Sequence, residues 1–192
     1  SEGESEDEGE GEGEGKGKGQ GGAAAACADA DAETTVRLAD YANKTDALLV
    51  GALLNAYASD PLGDGKPLPP EIPATLASKL AGVPGAFSVL AFVGGQPAGL
   101  VNVFQGFSTF KARPLLNVHD CYVAEFARGQ GVCGKMLAEV EREAKRRACC
   151  KVTLEVLSNN APAKKAYTRF GFEPYVLDPE AGPAQFWQKA VA

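Results

Sequence analysis

Arg128-Gly129-Gln130-Gly131-Val132-Cys133-Gly134-Lys135 lies between an apolar run, Leu115 to Ala124, and an amphipathic segment that begins at Met136. A strand that turns through glycines into a helix presents bare main-chain N–H groups at the positive end of the helix dipole. That arrangement holds a pyrophosphate. Two side chains elsewhere could act on whatever is anchored there. Tyr167 carries a phenol able to donate a proton. His119, the only histidine, carries the group best suited to taking one near neutral pH.

The loop fits three phosphate-binding patterns. Gly129, Gly131 and Gly134 spell G-x-G-x-x-G, the dinucleotide (NAD-type) fingerprint, and Glu155 stands 21 positions after Gly134 as the acidic partner that pattern requires. Against it, Glu125 to Arg128 separate the glycines from their strand, strands precede the unit, and too few residues follow to complete two halves. Gly129 with Gly134-Lys135 approaches the magnesium P-loop, but Met136 stands where Ser or Thr must ligate the metal. The third pattern is Arg128-x-x-Gly131-x-Cys133, which resembles the Q/R-x-x-G-x-G/A signature of the GNAT superfamily of N-acetyltransferases. Cys133 departs from its usual Gly or Ala while remaining small.

A second motif extends that resemblance. Asn160, Ala163, Tyr167 and Gly171-Phe172 match the spacing of a family pattern that follows the fifth strand. On a helix, the Asn160, Ala163 and Tyr167 spacing lays the three along one face, aimed back at the glycine loop. The resemblance spans about Val36 to Val191. It implies acetyl-CoA as co-substrate, an amine as acceptor, direct transfer and no metal. By the same resemblance Arg128, Gly129, Gln130, Gly131, Val132, Cys133 and Gly134 hold the pyrophosphate. Tyr122 and Val123 offer fourth-strand backbone to the pantetheine arm, and Asn160 bonds that arm. Tyr167 matches the residue that protonates the departing thiolate. Histone-type members carry a base at the place of Asn117, which cannot serve; arylalkylamine-type members use histidines at the places of Asn117 and His119, of which only His119 is kept. Strand alternation predicts that Asn117, His119, Cys121 and Val123 share one face. A non-catalytic acyl-CoA-binding module is the reading from another functional class.

These residues need a scaffold. Thr34 to Leu38 reads as a strand, with Asp40 capping a helix to about Ala58 whose apolar positions are Leu48, Leu49, Ala52, Leu53 and Ala56. A loop from Asp60 to Pro70 precedes a shorter helix opening at Glu71 or Pro73, with Leu76 and Leu80 inward and Gly82 as its stop. Ala86 to Val93 and Ala98 to Phe104 form a hairpin about Gly94-Gly95-Gln96-Pro97. Gln105 to Arg113 is a connection, and Leu115 to Ala124 is the fourth strand. The next helix runs to about Ala148, burying Val132, Met136, Leu137, Val140 and Ala144 and exposing Glu139, Arg142, Lys145 and Arg146. Cys150 to Leu157 is a strand, Asn160 to Phe170 a helix, and Gln185 to Gln188 a closing strand. The fold class is α/β (α+β): a mixed central sheet flanked by helices, with, by the resemblance, fourth and fifth strands that splay.

Composition bounds the rest. Residues 1–32 are an acidic Gly/Glu-rich tail and Ala-rich linker, with almost no apolar side chain before Gly22 to offset the entropy of ordering. Residues 33–192 form the expected N-acetyltransferase domain. Net charge is -6, much of it in the tail, so the near-neutral body argues against nucleic-acid binding. Five cysteines without a C-x-x-C pair suggest a reducing compartment rather than a disulfide framework or a metal site. No apolar run is long enough to span a membrane. The acidic beginning is unlike a signal or transit peptide, although the chain does not start with Met. A soluble protein of the cell interior is expected.

Overall fold

The computed structural model describes residues 33–176, 178, 180 and 185–191. The tail and linker expected over residues 1–32 lie outside the described residues. The elements are β1 (Thr34–Leu38), α1 (Lys44–Ser59), α2 (Glu71–Ala81), β2 (Phe87–Val93), β3 (Gln96–Ser108) and β4 (Arg113–Val123). A 3-10 turn at Glu125–Ala127 follows, then α3 (Val132–Arg146), β5 (Val152–Leu154) and α4 (Ala161–Phe170). One sheet is ordered β1-β2-β3-β4-β5; the first four strands are antiparallel neighbours, and β5 runs parallel to β4. The expected mixed α+β architecture is present.

Strand alternation builds two cores. Val89, Val101, Leu116 and Val118 point to one face, where Met136, Leu137 and Val140 of α3 and Tyr167 of α4 cover them. Leu90 and Leu100, one residue out of phase, meet Val50 and Leu53 of α1 and Leu80 of α2 on the other face. Burial of such side chains is the main favourable term for the fold, about 1.5–3 kcal/mol for each large one.

Several local expectations change. Asn43, not Asp40, caps α1, its side chain accepting from the amides of Thr45 at 2.9 Å and Asp46 at 3.2 Å; Asp40 instead caps the turn at Ala42. The buried stripe of α1 is rotated to Asp46, Val50, Gly51 and Leu53, leaving Leu48 72% exposed. Gly51 lies on the rotated stripe. A Cβ there would sit 2.2 Å from the Pro73 carbonyl oxygen, so the bare glycine lets α2 lie directly on α1. The β3–β4 hairpin is longer than expected: β3 continues to Ser108, and only Thr109 to Ala112 turn. On α3, Glu139 is buried rather than exposed, paired with Arg142, and Glu143 is buried between Arg146 and Arg147. No strand forms over Gln185 to Gln188, where Phe186 and Trp187 are exposed, and β5 is shorter than expected.

Candidate active site

The site begins where the sheet opens. Parallel pairing joins Leu116, Asn117 and Val118 of β4 to Val152, Thr153 and Leu154 of β5 and then stops, while β4 runs on to Val123. Among the described residues, the last stretch of β4 therefore has a neighbour on the β3 side only. The register places Val103 opposite Val118 and Asn102 opposite Asp120, so His119 is an extra residue in a bulge. The bulge resets the alternation. Cys121 and Val123 pack toward α3, whereas His119 meets the ring of Phe104 edge-on at 5.3 Å, on the α1 side. The expectation that Asn117, His119, Cys121 and Val123 share one face is therefore wrong. A single inserted residue breaks a period of two.

Past β4 the chain enters the glycine loop. Gly129 and Gly131 are left-handed, with φ of 78° and 77°, and a Cβ at either would meet no protein atom within 4 Å. Gly131 is the N-cap of α3 and offers no side chain to it. The first helical bond runs from the Lys135 amide to the Gly131 carbonyl at 3.2 Å. The amides of Val132, Cys133 and Gly134 thus precede any helical acceptor. This is a set of donors at a helix N-terminus, suited to an anion. The Gln130 side chain turns back to the Phe126 carbonyl at 2.8 Å. Arg128 donates to the Val123 carbonyl at 3.0 Å and pairs with Asp60 beyond α1.

The third wall is α4. Asn160 is its N-cap, accepting from the Ala163 amide at 3.1 Å, so its spacing from Ala163 is that of a cap rather than of two side chains on one helical face. Ala163 and Tyr167 do face the core shared with α3, and left-handed Gly171 ends the helix with φ of 106°. Tyr167 is buried, edge-on to Phe172 at 6.0 Å. Burial pushes its phenol far above the ordinary value, and the neighbouring Cys121 thiol acts in the same direction. Beside it, the sulfurs of Cys121 and Cys133 lie 3.8 Å apart. Contact with Cys121 lowers the Cys133 thiol, and Cys121 is raised in return.

On the α1 side, Tyr122 packs against Tyr57 with ring centroids 6.0 Å apart. A partly buried chain of hydrogen bonds crosses β2, β3 and β4. Tyr41 meets Ser88 at 2.7 Å, Ser88 meets Asn102 at 2.5 Å, and Asn102 donates to Asp120 at 2.9 Å. Sequence reasoning singled out neither Asp60 nor Tyr57. Both sit near the end of α1, far along the chain from the loop, and no spacing rule links them to it. The structure brings the glycine loop, the free end of β4, Cys121 and Tyr167 together. His119 stands apart on the opposite sheet face. Among the described residues no cluster of three or more His, Cys, Asp or Glu could hold a metal ion, and no helix is long and apolar enough to cross a membrane.

Comparison with known proteins agrees with this geometry. A curated relative, acetyltransferase Atu2258 of Agrobacterium fabrum, is 37% identical over 71 residues, covering 37% of this chain and 50% of that protein. The match thus spans about half the length of the curated relative. Among solved structures, a transcriptional regulator from Bacillus halodurans shares the fold with a TM-score of 0.65 at 18% identity, over 81% of this chain and all of that one. Aminoglycoside N-acetyltransferase AAC(6')-Iy, solved with CoA, does so with a TM-score of 0.64 at 18% identity, over 82% of this chain and 95% of its own. Residues 52–172 match the acetyltransferase (GNAT) family, a span that takes in α2, the whole hairpin region, the glycine loop and α4. The chain belongs to the GNAT acetyltransferase family.

Proposed function

We propose that this protein transfers the acetyl group of acetyl-CoA to a primary amine by direct attack. The observation that carries the reading is the convergence of three features at one opening in the sheet. They are the amides of Val132 to Gly134, the end of β4 from Asp120 to Val123 that pairs with β3 but not with β5, and the buried phenol of Tyr167. In this reading Arg128 and the amides from Gly129 to Gly134 bind the pyrophosphate of the co-substrate. The backbone of Tyr122 and Val123 aligns the pantetheine arm, and the free amide nitrogen of Asn160 donates to it.

Tyr167 then keeps its proton throughout the neutral range and offers it to the thiolate as sulfur leaves. Its high pKa matters here. The phenol acts first as a hydrogen-bond donor to the developing charge and gives up its proton only to a desolvated thiolate. His119 acts from the α1 side as the base that removes a proton from the acceptor ammonium, directly or through water. Its place beside Phe104, on the sheet face that α1 covers, supports an acceptor entering there. A fold neighbour named as an aminoglycoside N-acetyltransferase makes amino sugars a sensible first acceptor class, beside polyamines and peptide amines.

Thermal unfolding of the protein alone, with acetyl-CoA and with NAD(H) tests the co-substrate. Ligand at about 100 times its dissociation constant adds roughly 2.7 kcal/mol. A shift with acetyl-CoA only, followed by thiol release on adding an amine, is the expected result. A shift with NAD(H) only overturns it in favour of the dinucleotide pattern. A shift with acetyl-CoA but no thiol release across the acceptor classes leaves a binding module.

A further inference from the structure

The glycine loop is closed at its base by two thiols. Cys121 lies on the α3-facing side of β4, and Cys133 is in the first turn of α3. Their sulfurs are 3.8 Å apart, in hydrogen-bond contact, and both residues are half-buried. Between them the chain runs through the end of β4, the 3-10 turn and the glycine loop as far as Val132. A cradle of main-chain amides needs no side chain at position 133. A second sulfur against the first makes the pair notable where either cysteine alone would not be.

We infer that Cys121 and Cys133 form an oxidation site, which a low-molecular-weight disulfide converts to an intramolecular disulfide closing a ring around the glycine loop. The chemistry balances in two exchanges. The Cys133 thiolate, favoured by its position at a helix N-terminus, attacks one sulfur of the small disulfide and expels a small thiolate. Cys121 then loses its proton to solvent, and its sulfur attacks Cys133, expelling the second small thiolate. Two protein thiols are oxidised, and one small disulfide is reduced to two thiols. The sulfurs must close by about 1.8 Å in all to reach bonding distance. Rotation of the two side chains with a small shift of the first helical turn supplies that movement.

The consequence rests on the acetyl-CoA reading. Drawing the first turn of α3 toward β4 misplaces the amides of the cradle and takes the Cys121 thiol away from Tyr167. Displacements of this size disturb a positioned site strongly. The oxidised form should bind acetyl-CoA at least about tenfold more weakly, although the closed ring raises its melting temperature by several degrees.

The test treats the full chain with oxidised glutathione, blocks remaining thiols with N-ethylmaleimide and maps the peptides. A cross-linked peptide joining Cys121 to Cys133, reversed by dithiothreitol, is expected. It should be lost in Cys133→Ala and in Cys121→Ala and kept in Cys149→Ala. Free thiols at both positions, a lasting glutathione adduct on Cys133, or a cross-link through Cys149 or Cys150 overturns the inference. Acetyl-CoA titrations of reduced and oxidised protein then separate the two claims. Equal affinity overturns the regulatory consequence. Binding by neither form, with the cross-link present, leaves the oxidation site standing and removes the acetyl-CoA reading.

Discussion

Arg128 joins the end of β4 to the end of α1: its guanidinium donates to the Val123 carbonyl at 3.0 Å and pairs with the carboxylate of Asp60, 68 residues away. The Leu62 amide, and after it Arg128, hold the Asp60 carboxyl below the usual carboxylate range. If Arg128 binds the pyrophosphate as proposed, the anion must share it with Asp60 or draw it away. Arg128→Ala should weaken acetyl-CoA binding about tenfold, near the low end for a charge-assisted bond because the guanidinium is partly solvated. Asp60→Asn should tighten it by about two- to fivefold by freeing the cation, an electrostatic gain kept modest by solvent. Calorimetric titration checks both. Unchanged affinity in Arg128→Ala would mean that the guanidinium only straps the loop to α1.

Tyr167 offers a test of the chemistry apart from binding. Its phenol is buried against Phe172 and Cys121, and burial raises its pKa. Tyr167→Phe keeps the ring and its packing, so acetyl-CoA affinity should hold within about twofold while kcat falls about 100-fold, the low end for general acid catalysis. Because the folded-state value is raised, ionisation of this phenol should produce no alkaline fall in kcat below about pH 10. An alkaline fall that disappears in the Phe variant would show that the phenol titrates in the working range, against the direction given by its burial.

Two glycines separate strain from contact. Gly131→Ala puts a side chain at φ of 77°, where L residues are disfavoured, yet its Cβ meets no protein atom within 4 Å. Stability should fall by only about 1–2 kcal/mol, whereas acetyl-CoA affinity should fall more than tenfold if the loop holds the pyrophosphate as proposed, because a strained, side-chain-bearing residue 131 disturbs its close approach to the main chain. Gly51→Ala should do the reverse. Its Cβ would lie 2.2 Å from the Pro73 carbonyl oxygen, so α1 and α2 must move apart. A loss of about 1–3 kcal/mol is expected from overpacking, with co-substrate affinity little changed in the protein that remains folded. Urea denaturation and titration of each variant supply the four numbers.

The parts of this fold that sequence made legible are those in which local chemistry and tertiary demand agree. The stripe Val132, Met136, Leu137, Val140 and Ala144 repeats at the helical period and is buried as expected. The glycines at 129, 131 and 171 all adopt left-handed φ. What stayed hidden depends on partners distant in the chain. The register bulge at His119 is set by the pairing of β3 with β4, and it puts Cys121 and Val123 on the sheet face opposite the candidate base. The burial of Leu53 and exposure of Leu48 depend on packing against Leu80 of α2 and against Leu90 and Leu100 of the sheet. Asn160 shows a subtler failure. The spacing to Ala163 was visible, but it suits both a helical face and a cap, and the cap is what forms.

Asp46 carries a charge into the α1 side of the fold. Its carboxylate receives both guanidinium nitrogens of Arg37, at 2.6 and 2.7 Å, and the Asp40 amide at 2.9 Å. The carboxylate is almost fully buried, while Arg37 is about half exposed and also lies over the Phe92 ring. The bond from Arg37 is the main reason the Asp46 carboxyl lies below its ordinary value. A folded-state value below the unfolded one means that the pair contributes fully above about pH 5. That contribution is lost as pH falls through the folded value. Asp46→Asn should therefore cost about 1–3 kcal/mol at pH 7, toward the lower figure because Arg37 keeps its water. The difference from the parent should narrow below about pH 4, where the parent's carboxyl also becomes neutral. Glu143, held low chiefly by Arg146, adds an acid-sensitive term present in both proteins, so it cancels in the comparison. Urea titrations of both proteins at pH 7 and near pH 3 read the two differences. An unchanged difference at the acid end would assign the cost to packing and capping around Asp46 rather than to its charge.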